Sequence, residues 1–201
     1  MCNHYRLGAR DIQLHKGWER LVVPASYADM SPDIWPNRMG LVGRHENGAQ
    51  IWDTMTWGFP MTAPGKRPGT TVKRHVTNVR NLSSSFWKST LSRPEQRCLV
   101  PFSSFAEPRG VRNPDTNTPA EYWFSIKTEP VAAFAGIWRE VDGKRVYAFL
   151  TCEPNAIVAP LHPKAMPVIL LPEDYDRWLM TDYADACSMA VPYPSQLMTV
   201  D

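Results

Sequence analysis

Residues 121–152 read EYWFSIKTEPVAAFAGIWREVDGKRVYAFLTC. Three runs within them, 121–127, 131–138 and 145–152, are rich in β-branched and aromatic residues, the composition of strands. Between the last two stands EVDGK, whose Asp-Gly pair signals a hairpin turn. Working outward, AQIWDTMTW at 49–57 alternates so that Ile51, Met55 and Trp57 share one face. LVG at 41–43 and MPVILL at 166–171 are further apolar strand candidates. RCLVPFSSFAE at 97–107 is strand-like, with Pro101 marking an edge or bulge. VKRHVTNVRN at 72–81 reads as a short strand running into a turn.

The helices are short. Residues 9–20 space Ile12, Leu14 and Trp18 loosely on a helical period, which Gly17 weakens. SSSFWKSTL at 83–91 is a short helix with serine available as N-cap. EPNAIVAPLH at 153–162 holds another before a loop, and PEDYDRWLM at 172–180 opens with proline at N1 and acids in its first turn. Stretches 58–71 and 108–119 read as loops. The sum is an α+β pattern, mainly antiparallel.

The 201 residues point to one domain, and 19 prolines favour many short elements over long helices. No apolar run has the length of a membrane span, and MCNHYRLGARD carries no apolar signal core. Cys2, Cys98, Cys152 and Cys187 lie far apart, which argues against a zinc ribbon or disulfide scaffold and for a reducing, cytoplasmic location. The last three are expected to be buried and inert. His15, His45 and His75 show no ligand spacing, so neither a metal nor a cofactor is expected. Residues 61–112 hold ten Lys and Arg against two acids, a net +8, while the remainder carries −6. Such asymmetry suits a face for a polyanion, with a solvated basic surface as the equal alternative.

The opening MCNHYRL poses its own question, because a cysteine at position 2 sits where chains usually fray. Taken alone it is an accident of a tolerant terminus. If Met1 is removed, however, Cys2 bears an α-amine beside its thiol, a pair that reacts with aldehydes.

MCN at the start, TWG at 56–58, TNVR at 77–80, RCLVPFSSFAE at 97–107, FAGIW at 134–138 and LHPKAMPVIL at 161–170 follow one another in an order and spacing that resembles the SRAP family of SOS response-associated, abasic-site processing proteins. The likeness runs from residue 2 to about residue 180. It implies one SRAP-like domain over 1–201, the residues after 180 a peripheral extension, with a barrel-like curved sheet core and short helices inserted. It implies a DNA-damage protein that captures abasic sites in single-stranded DNA covalently, with Cys2, Asn78, Glu107 and His162 as the reactive set. Arg80 matches a phosphate-contacting arginine and Trp57 an aromatic near the reactive end. The chain departs from the family where many members have arginine at His4, tryptophan at Pro108, and His-Asp-Arg-Met-Pro in place of His162 to Pro167.

The chemistry fits the residue types. A neutral α-amine attacks the ring-opened sugar aldehyde, and the thiol closes a thiazolidine. His162 moves protons near neutral pH, Glu107 gains a raised pKa if partly buried, and Asn78 both donates and accepts. Each also has an ordinary reading: a loop histidine, a strand-end acid, a turn asparagine. Arg80, Lys88, Arg74, Lys66 and Arg67 are candidate phosphate contacts, joined by His4 and by Lys164, which replaces part of a missing arginine's charge. Trp57, Trp87 or Phe59 are candidates for base stacking, with core packing favoured for Trp87, Trp123, Trp138 and Trp178. A cysteine peptidase using Cys2, Glu107 and His162 is one competing function. A noncatalytic single-strand-binding module is the other. A monomer, with no membrane partner, is expected, bound to the nucleoid when on DNA.

Overall fold

The computed structural model describes residues 2–8, 12, 17, 18 and 22–201; most of the helix expected at 9–20 lies outside these residues. Five strands close into a barrel: β3 (Met39–Glu46), β4 (Ala49–Trp57), β8 (Arg97–Phe102), β11 (Ala132–Val141) and β12 (Lys144–Cys152). The ring runs β12–β4–β3–β8–β11 and returns to β12. Its pairs are antiparallel apart from β4–β12, where Trp57 lies beside Tyr147. The β11–β12 hairpin turns at Asp142 and Gly143, both at positive φ (51° and 72°), the geometry that an Asp-Gly pair supplies. Two-residue strands extend the barrel wall: β7 (Asn78–Val79) and β13 (Met166–Pro167) on β12, and β14 (Ile169–Leu170) on β11.

A second sheet takes the order β15–β10–β9–β1–β2, from β1 (His4–Arg6), β2 (Asp33–Ile34), β9 (Ser104–Arg112), β10 (Pro119–Ile126) and β15 (Met198–Val200). Aromatic rings join it to the barrel. Phe102 stacks on Phe134 at 3.9 Å, and Phe105 meets both edge-on while stacking on Phe124. The Tyr5 and Tyr147 hydroxyls meet at 2.5 Å, tying β1 to β12. Gly40 leaves the room for them, since a Cβ there would collide with both hydroxyls.

Four details differ from the pattern expected of the sequence. The 97–107 run is two strands in two sheets, turning at Ser103, whose N–H is held by the Arg6 carbonyl. Pro101 is tolerated because β3 reaches β8 only at Gly43–Leu99, so no ladder bond is lost on that side. Residues 58–71 are no simple loop: β5 (Phe59–Pro64) and β6 (Thr71–Val76) form a two-stranded ribbon, whose open edges accept Pro60 and Pro64. The 108–119 loop shrinks to 113–118, because β9 and β10 run past its ends and Asn113 accepts the Asp115 and Thr116 N–H groups. Residues 153–162 make hydrogen-bonded turns in place of a helix, since Pro160 and Pro163 cannot donate.

The helices pack outside the barrel. In α1 (Ser85–Leu91), the Ser84 side chain accepts from the Phe86 N–H, as expected of a serine cap. α2 (Tyr175–Met180) and α3 (Tyr183–Ser188) follow the last barrel strand. Arg97, wholly buried on β8, donates to the Leu91, Trp178 and Thr181 carbonyls and so fastens the ends of α1 and α2. Cys98 and Cys152 are buried, Cys187 is half-buried, and all are free thiols. No helix among the described residues is long and apolar enough to cross a membrane.

Candidate functional site

The site forms where β1, β7, β9 and the turn after Leu161 converge. Cys2 is wholly buried directly before β1, and its thiol donates to the His4 carbonyl at 3.4 Å. Burial, reinforced by the nearby Glu107 carboxyl, pushes the thiol pKa far up, so the group is neutral until a base takes its proton.

Asn78 fixes the terminus from the barrel side. Its Nδ2 donates to the Cys2 carbonyl at 3.0 Å and to Thr77 Oγ1 at 2.8 Å. Parallel pairing with Phe149 holds its backbone, and the Trp57 indole N–H donates to the preceding Thr77 carbonyl. Asn78 Oδ1 is buried with no hydrogen-bond donor among the described residues.

Glu107 comes from β9, one step beyond the His4–Ala106 pair, and is wholly buried. Desolvation lifts its pKa from 4.5 to about 7, and the Glu121 charge adds to the rise. Its Oε2 lies 3.6 Å from His162 Nε2. The His162 Nδ1–H is directed to the Ala165 carbonyl at 2.8 Å, which turns Nε2 toward Glu107. Burial pulls the His162 pKa below 6.5. Near neutral pH the two groups therefore compete for one proton, and burial favours keeping it on the carboxyl. Turns built on Asn155 bring His162 there: Asn155 Oδ1 accepts the Ile157 and Val158 N–H groups, and the His162 N–H reaches the Val158 carbonyl.

The structure thus brings Cys2, Asn78, Glu107 and His162 together. Arg80 lies beside them. Its Nη1 donates to the Cys152 and Lys164 carbonyls at 3.1 and 2.9 Å, and its Nη2 to Glu153 at 2.5 Å. This clamps the segment that carries His162. The Lys164 side chain is exposed. Lys66, Arg67 and Arg74 are exposed on the β5–β6 ribbon, while Lys88 is on α1 beside the Tyr183 ring. Trp57, Trp87 and Phe59 are buried in the core, so none presents a face to solvent. His4 is buried too, between Asp33 and Glu121. Nothing in the linear sequence pairs His4 with carboxylates 29 and 117 residues away. Among the described residues no cluster of three His, Cys, Asp or Glu could hold a metal.

These features define a class: a barrel-cored α+β protein with a cysteine at residue 2 packed against a buried carboxyl–imidazole pair. The chain belongs to the SOS response-associated peptidase (SRAP) family, whose profile matches residues 1–201. The fold is similar to that of a solved protein from Bordetella bronchiseptica (22% identity, TM-score 0.73, covering 99% of this chain and 98% of that one). A protein from Bacteroides thetaiotaomicron (18%, 0.72, 99% and 90%) and a phage-related protein from B. bronchiseptica (19%, 0.65, 92% and 85%) share it. No curated protein matches the chain.

Proposed function

We propose that this protein captures abasic sites in single-stranded DNA covalently, through Cys2 once residue 1 has been removed. The observation that supports this reading is the meeting of Cys2, Asn78 and the Glu107–His162 pair in one buried site.

The steps follow from the groups present. The neutral α-amine of Cys2 adds to C1′ of the open-chain aldehyde, and the carbinolamine loses water to give an iminium ion. The thiol gives its proton to the Glu107 carboxylate, and sulfur adds to the same carbon. The carbon–nitrogen double bond becomes single, and a five-membered thiazolidine joins protein to DNA. Asn78, anchored on the Cys2 carbonyl, orients the amine, and its buried Oδ1 is an acceptor for an amine or sugar hydroxyl proton. His162 passes the Glu107 proton to the sugar ring oxygen as the ring opens, which leaves Glu107 as the carboxylate that takes the thiol proton. A single strand is the fitting substrate, because extracting a sugar from a duplex costs a few kcal/mol or less at a damaged site.

Intact mass spectrometry after incubation with an abasic oligonucleotide tests the reading. The wild-type chain should gain the mass of the strand, less water, in a form that survives heating. Cys2→Ser should give at most a labile Schiff base. An equally stable adduct from Cys2→Ser would overturn it.

A further inference from the structure

Among the described residues, Trp35 is the only tryptophan, tyrosine or phenylalanine whose side chain is exposed, at 45%. Its inner face lies on the His4 ring, with centroids 3.7 Å apart and planes at 20°. His4 is a fixed pedestal. Its Nδ1 meets Glu121 at 2.9 Å, its Nε2 meets Asp33 at 2.8 Å, and Trp123 packs edge-on at 4.6 Å.

The backbone under Trp35 is rigid as well. Residues 35–38 form a tight turn in which the Arg38 N–H reaches the Trp35 carbonyl at 3.0 Å. Pro36 fixes one central φ, and Asn37, at φ 66°, takes the left-handed conformation that asparagine tolerates. Two further bonds staple the turn to β4, Asn37 N–H to the Trp57 carbonyl and Trp57 N–H to the Arg38 carbonyl. The ring is thus held in place with little entropy left to lose on binding.

The outer side opens on a cleft of about 410 Å³ lined by Met30, Ser31, Asp33, Trp35, Arg38 and Met39. Its one carboxylate, Asp33, is already engaged by Arg6 at 2.7 Å and by His4. Arg38 is exposed and makes no ion pair among the described residues. A flat apolar face beside an uncommitted guanidinium fits an unpaired base and its phosphate. The pedestal, His4, stands two residues from Cys2, whose thiol bonds the His4 carbonyl.

We infer that Trp35 is a stacking platform for a nucleobase flanking the reactive position of single-stranded DNA, with Arg38 against the adjoining phosphate. This rests on the DNA reading above, and it assigns to His4 the role of positioning Trp35. The test uses two strands of equal length and charge, oligo(dT) and the same backbone with tetrahydrofuran in place of every base. Neither carries an aldehyde, so capture chemistry plays no part. Trp35→Ala should weaken oligo(dT) binding about fivefold to a hundredfold and leave the baseless strand unchanged. Trp35→Phe, which keeps a ring on the pedestal, should lose less. Arg38→Ala should weaken both strands and lower the salt slope by about one. Equal losses on both strands for Trp35→Ala, or none on oligo(dT), would overturn the inference. If the wild-type chain binds neither strand, the DNA reading fails instead. If it binds both but forms no adduct with abasic DNA, only the capture chemistry fails.

Discussion

His162 presents Nε2 to Glu107 Oε2 across 3.6 Å because its other nitrogen is committed to the Ala165 carbonyl. The tautomer is thereby set by a backbone atom three residues on. A proton can pass between the pair in either direction once the 3.6 Å gap closes to hydrogen-bond distance. That suits a reaction whose steps both give and take protons.

The first consequence concerns stability. Glu107 titrates at about 7 in the fold against an ordinary 4.5, because burial favours its neutral form. The stability this carboxyl contributes is whole below pH 4.5 and is lost as pH rises through 7. His162 acts with the opposite sign, losing stability as pH falls below 6.5. Glu107→Gln removes the first effect. Relative to wild type, this variant should gain on the order of 2–3 kcal/mol between pH 4.5 and pH 8. Urea unfolding across that range reads it directly. A wild-type-to-variant difference that stays flat would mean that Glu107 ionises like a surface carboxyl.

His162 should matter most where the sugar must open. Single-turnover adduct formation by His162→Ala should slow by about 10²–10⁴ on the abasic strand. A small open-chain aldehyde, which needs no ring opening, should restore most of the loss. Equal defects on both substrates would remove His162 from that step.

Arg80 and Glu153 make a third test. The outer edge of the Arg80 guanidinium is occupied by the exposed Glu153 carboxylate. A phosphate arriving at Arg80 must displace it. Glu153→Gln should therefore tighten binding of undamaged single strands, and Arg80→Ala should weaken it and reduce the salt slope by about one. Arg80→Ala also frees the Lys164 carbonyl, so its adduct rate should fall more than its affinity does. Unchanged affinity in both variants would leave Arg80 only its clamping role.

Much of the barrel was legible because its strands announce themselves locally. The 49–57 strand forms where the alternation indicated, with Met55 and Trp57 buried, though Ile51 is only half-buried and Trp52, on the other face, is buried as well, and Asp142-Gly143 turns where expected. The corner at Ser103 was not legible, since only Ser103 and Ser104 separate the apolar residues of 98–102 from Phe105 and Ala106, and no Gly or Asn marks a turn. The 59–76 ribbon was hidden by its prolines, which signal a loop unless a strand has an open edge. In the site, the reactive set came from ordered motifs spread over 160 residues, which no local pattern connects. The basic residues were visible as charges, but their commitments were not. Arg80 is spoken for by two carbonyls and a carboxylate, and His4 by two carboxylates. Trp57 and Trp35 show the same limit from the other side: the sequence cannot say which indole is sealed in and which faces out.

The Tyr5–Tyr147 hydroxyl contact joins the second residue of β1 to a barrel strand, and β1 lies between β9 and β2. A chain end is ordinarily the first part of a protein to trade its amide hydrogens with solvent. Here the amides of His4, Tyr5 and Arg6 should be among the last, exchanging only when the sheet opens as a unit. Tyr147→Phe should release them selectively, and deuterium uptake by the N-terminal peptide would register it. The terminus that makes a cysteine at position 2 look accidental should, in this fold, open as slowly as the core.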